Sequence, residues 1–79
     1  MNRKQEKRRL LLIEADGIGK GLRERLQKSF GFANRGLQGG NLVAEFKYER
    51  AALKAKARAL QLLSEEQLTR DILITEEEL

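Results

Sequence analysis

Asn41-Leu42-Val43-Ala44-Glu45-Phe46-Lys47-Tyr48 can be read in two periods, and the choice between them decides the fold. Joined to residues 49–62, it opens a long run of Ala, Leu, Lys and Arg, all good helix formers. At about 100° per residue, a helix over residues 42–62 sorts its side chains into three faces. Leu42, Phe46, Leu53, Ala57 and Leu60 make one apolar stripe; Ala44, Tyr48, Ala51, Ala55, Ala59 and Leu62 make a second; Lys47, Arg50, Lys54 and Arg58 make a basic third. Taken alone, the same stretch alternates, with Leu42, Ala44, Phe46 and Tyr48 on one side of a strand. Residues 71–75, around Ile72 and Ile74, would then be its partner. The scarcity of β-branched residues in the whole chain tips the reading to the helical period. The expected fold class is mostly α: a small helical domain, with an α+β arrangement, short strands near 42–48 and 71–75, as the alternative.

Outward from this stretch, residues 3–15 read as a first helix, basic in its first half and carrying Leu10, Leu11, Leu12 and Ile13 in its second. Gly17 ends it. A second helix over 19–30 sets Ile18, Leu22, Leu26 and Phe30 at four-residue steps, so one stripe faces a core. Gly36, Gly39 and Gly40 make residues 32–41 a Gly-rich loop, because each glycine costs a helix about 1 kcal/mol against Ala. Beyond the long third helix, Ser64 and Gln67 have the spacing of a capping box opening a short fourth helix, and residues 76–79 form an acidic tail. The expected organisation is a single domain over 1–75, comprising a helical hairpin (1–31), the loop (32–41) and a helical part (42–72).

Seventy-nine residues bound the chain to one domain with a thin core, and with no Cys neither disulfides nor thiolate metal sites can reinforce it. No segment approaches the roughly 20 apolar residues of a membrane span. An intracellular protein, cytoplasmic or nucleoid-associated, is expected. The net charge of +4 is unevenly placed: residues 1–35 hold ten basic groups against four acidic, 36–63 five against two, and 64–79 one against six. A basic body of this kind attracts polyanions, of which nucleic acid is the most abundant in a cell.

The segment between Arg9 and Gly31, centred on Gly17-Ile18-Gly19-Lys20-Gly21, resembles the helix-hairpin-helix motif of DNA repair, recombination and replication proteins. The resemblance covers about 23 residues and implies sequence-independent binding of the DNA backbone. It departs from the family pattern at Ala15-Asp16, where Leu-Pro is usual, and at Arg23, where a small residue is usual. Elementary physics points the same way, since glycines let a ligand approach the chain and the free amides at a helix N-terminus attract a phosphate oxygen. Lys20 and Arg23 would add charge. Further phosphate contacts are expected from the basic face Lys47, Arg50, Lys54 and Arg58, and from an N-terminal arm comprising Arg3, Lys4, Lys7 and Arg8. Phe30, Phe32, Phe46 and Tyr48 are read as core side chains rather than base-stacking platforms.

There is no His and no Cys, and the few hydroxyls have no base nearby, so no enzyme, no metal site and no cofactor are expected. The functional expectation is an accessory protein binding duplex DNA through its backbone. The alternatives are a protein-interaction or homodimerisation module, and an RNA-binding component of a ribonucleoprotein.

Overall fold

Leu10-Leu11-Leu12-Ile13 is the middle of a strand, β1 (Arg8–Glu14), hydrogen-bonded to a neighbour on each edge. The computed structural model describes residues 7–77. After β1 come α1 (Lys20–Phe30), a 3-10 turn (Gly31–Ala33), β2 (Asn34–Gln38), β3 (Asn41–Phe46), α2 (Glu49–Glu65) and β4 (Ile72–Glu77). The strands lie in the order β2-β3-β1-β4, and every neighbouring pair is antiparallel. Each helix thus carries the chain from one strand to a parallel strand two places away, the split βαβ arrangement used twice.

The mostly helical expectation is therefore corrected: the protein is a two-layer α+β domain. Propensity favoured helix over residues 3–15, yet a four-residue apolar run also suits a central strand paired on both edges, with one face under the helices and the other half-buried. Leu11 and Ile13 point under the helices and are fully buried, while Leu10 and Leu12 lie on the other face, half-buried. The glycine turn consequently joins a strand to a helix, not two helices. Over Asn41–Phe46 the period of two prevails, with Leu42, Ala44 and Phe46 in the core. The segment read as a Gly-rich loop contains β2 and a hairpin turn at Gly39-Gly40, both at positive φ as a tight two-residue turn requires.

The long third helix is shorter than expected and starts at Glu49. It meets the sheet through Ala52, Ala55, Ala59 and Leu63, whose mostly small side chains let its backbone approach closely, while Leu53 and Leu60 stay exposed. α1 contributes Leu22, Leu26 and Phe30, so both helices cover the same face of the sheet in one core cluster. The fourth helix does not form. Gln67 takes a positive φ of 58°, its N–H bonds the Ser64 carbonyl, and the Leu68 N–H bonds the Leu63 carbonyl, which closes α2 with a Schellman motif. Glu76 and Glu77 are not tail residues but the end of β4, and the last two residues of the expected tail lie outside the described residues.

Candidate nucleic-acid interface

The β1–α1 turn is built by Ala15-Asp16-Gly17-Ile18. The Ile18 N–H bonds the Ala15 carbonyl, Gly17 sits at φ 81°, and Ile18 drops into the core. Gly19 caps α1 without a side-chain bond, so the Asp16 carboxylate leaves the first amides of the helix alone. A Cβ built at Gly19 or Gly21 would meet nothing, so the backbone there is open to approach. Arg70, which sequence reasoning missed, clamps the turn: its guanidinium donates to the Asp16 carbonyl and pairs with Glu14 at 3.5 Å. Arg70 lies more than fifty residues away in sequence, and only the return of the chain into β4 brings it there.

Topology decides what else stands at this end of the molecule. β1 ends here, α1 begins, α2 ends and β4 begins, which gathers Glu14, Asp16, Glu65, Glu66 and Asp71 near the turn. Arg25 answers Glu65 and Glu66 at 3.3 and 3.9 Å. The glycine turn thus has open amides and Lys20, beside carboxylates of which Glu14 is paired with Arg70 and Glu65 and Glu66 with Arg25, while the Asp16 carboxylate stays next to the turn.

The remaining positive charge is divided between the layers. On the strands, Lys7 pairs with Glu76, Arg8 with Glu45 and Glu77, Arg9 with Glu49 and Glu76, and Arg35 with Glu45. The arm residues Lys7 and Arg8 are therefore committed to carboxylates of neighbouring elements, while Arg3 and Lys4 lie outside the described residues. The cations with no carboxylate partner among the described residues are on the helices: Lys20, Arg23 and Lys28 on α1, Arg50, Lys54, Lys56 and Arg58 on α2. Lys47 precedes α2, and its interactions place it outside this unpaired set.

α1 and α2 run antiparallel, since Arg25 meets Glu65 whereas Arg58 donates to the Ser29 carbonyl at 3.2 Å, four residues later on α1 and seven earlier on α2. Between them runs a groove of about 420 Å³ lined by Arg25, Lys28, Ser29, Arg58 and Glu65 among others. Arg50, Lys54 and Arg58 recur every four residues along α2, a span of about 12 Å. The structure thus brings Lys28 to Arg58, the last residue of the stripe foreseen on the third helix, while Arg50 and Lys54 continue toward the start of α2, away from the glycine turn.

The sheet's other face carries Leu10, Leu12, Val43 and Leu73, edged by the Arg8, Glu45 and Glu77 ion pairs. Among the described residues no aromatic stands on it: Phe30 and Phe46 are in the core, and Tyr48 precedes α2. Phe32 and Tyr48, both expected in the core, are exposed, and Phe32 fully so, at 103% in the 3-10 turn after α1. No group of carboxylates able to hold a metal occurs among the described residues, and none of their helices is long and apolar enough to cross a membrane. No protein-family model, curated protein or solved structure matches the chain.

Proposed function

We propose that this protein binds the phosphate backbone of nucleic acid without reading sequence, and that its docking face is the helix layer rather than the glycine turn. The observation that carries the proposal is the division of charge: strand-borne arginines have carboxylate partners, whereas Lys28 and Arg58, which line the groove between the helices, and Arg50 and Lys54, which continue the Arg58 row along α2, have none among the described residues. Exposed cations cost little in isolation and gain most by displacing the counterions condensed on a polyanion. Along a strand rising about 3.4 Å per nucleotide, the roughly 12 Å of the α2 stripe spans about three to four phosphates. Side chains that meet phosphates orient the protein but carry no base information.

The test sets two groups of substitutions against each other in an electrophoretic titration with duplex DNA, duplex RNA and a single strand at low salt. Lys54→Ala and Arg58→Ala each weaken binding several-fold and about equally for unrelated sequences. Lys20→Ala and Arg23→Ala change it less. The opposite ranking would move the interface back to the glycine turn, and the absence of binding to all three probes would end the nucleic-acid reading in favour of a protein-interaction module.

A further inference from the structure

Phe32 has no role in the fold. Its neighbours in sequence do: Phe30 is 5% exposed in the core, and Ala33 packs against the core cluster. Between them Gly31 ends α1 at φ 62°, and the chain turns so that the ring of Phe32 stands wholly in solvent. The backbone beneath it is held on both sides. Arg35 Nη1 donates to the carbonyls of Phe32 and Asn34 at 2.9 and 3.2 Å, the Asn34 N–H bonds the Gly31 carbonyl, and the Gly36 N–H bonds Asn34 Oδ1 at 3.0 Å. The ring is therefore presented on a fixed mount.

Single exposed apolar side chains are ordinary, and a leucine here would call for no account. The setting of Phe32 is different. It follows by three residues Ser29, whose carbonyl Arg58 reaches, and by four Lys28, which lines the groove with Arg58, so it stands in the turn just past the end of α1 that Arg58 meets. An aromatic ring one turn of chain beyond Lys28 and Ser29, which line a groove with Arg58, complements a ligand with anionic and flat aromatic parts in alternation. A nucleic-acid strand is such a ligand: the phosphates are held along the groove while a base stacks on the ring. A base inside a blunt duplex has no free face, and exposing one costs a few kcal/mol of unstacking.

On the basis of the nucleic-acid function proposed for the helix layer, we infer that Phe32 is a stacking platform for an unpaired base, and that the preferred ligand is a single strand or a bulged or looped segment rather than a continuous duplex. The helix groove supplies affinity through charge, and Phe32 supplies the preference for unstacked bases. Sequence selectivity stays slight, because every base has a π-face.

The chain has no Trp, so Phe32→Trp introduces a single indole whose fluorescence reports stacking directly. The probes are a short unstructured single strand and the blunt duplex of the same sequence. The inference expects quenching by the single strand and little by the duplex. It also expects that Phe32→Ala weakens single-strand binding roughly tenfold, with a much smaller loss for the duplex. Because Phe32 touches nothing in the core, thermal unfolding of both variants matches the parent. Absent quenching, equal quenching by the duplex, or unchanged single-strand affinity of Phe32→Ala overturns the inference. The double variant Lys54→Ala with Arg58→Ala separates the two readings: if it loses binding while Phe32→Ala does not, only the stacking platform fails, and if neither loses binding, the nucleic-acid function of the helix layer fails with it.

Discussion

Gly17 meets two demands at one position. Its φ of 81° is one that L side chains avoid, and a Cβ there would stand 2.7 Å from the Arg70 Nη2. The guanidinium tip can move, but the backbone angle cannot, so Gly17→Ala is expected to cost about 1–2 kcal/mol of stability. Gly21 is its counterpart. It lies in the first turn of α1 with open space where a Cβ would go, and Gly21→Ala is expected to add about 0.5 kcal/mol by removing backbone freedom from the unfolded chain. Urea denaturation of the two variants checks both signs. The same pair bears on function: Gly21→Ala narrows the approach to the amides at the start of α1, yet leaves nucleic-acid binding unchanged if the interface is the other end of the helix layer.

At the scale of elements, the packing of α2 has a consequence that its sequence conceals. The helix meets the sheet through alanines, so Ala59→Leu forces a large side chain into a closed contact and is expected to cost about 1–3 kcal/mol. Leu60→Ala, which cuts an isobutyl side chain back to a methyl but at a surface position, is expected to cost less than about 1 kcal/mol. Thermal melts rank the two, and the reverse order would mean that α2 is rotated from its described phase. α1 was legible from its stripe, because Ile18, Leu22, Leu26 and Phe30 do reach the core. β1 was not, because leucine runs satisfy a helix and a central strand alike, and only pairing with β3 and β4 distinguishes them. The phase of α2 was legible in part: of the two apolar stripes expected, the small-residue one reaches the core through Ala55 and Ala59, whereas Leu53 and Leu60 of the other stay exposed because close approach to a sheet selects small residues. The basic stripe Arg50, Lys54, Arg58 was legible from four-residue spacing. The company of Lys28, the clamp by Arg70 and the exposure of Phe32 depend on contacts between distant segments, and no local period encodes them.

Over the whole molecule, the ends of the elements arrange the charge. Antiparallel neighbours put the β1–α1 turn, the end of α2 and the start of β4 together, which places Glu14, Asp16, Glu65, Glu66 and Asp71 at one end of a molecule whose unpaired cations extend along its helices to the other. A dipolar protein of this kind approaches a polyanion with its cationic end first. Four phosphate contacts, from Lys28, Arg50, Lys54 and Arg58, give a slope of log K against log salt of about −3.6 on duplex DNA and about −2.8 on a single strand. The most direct test of the helix layer as the docking face is therefore that slope, measured for the parent and for the triple variant Arg50→Ala, Lys54→Ala, Arg58→Ala. The slope is expected to fall by about three contacts' worth in the triple variant, leaving little salt dependence. A parent that binds with the same slope as the triple variant would contradict it.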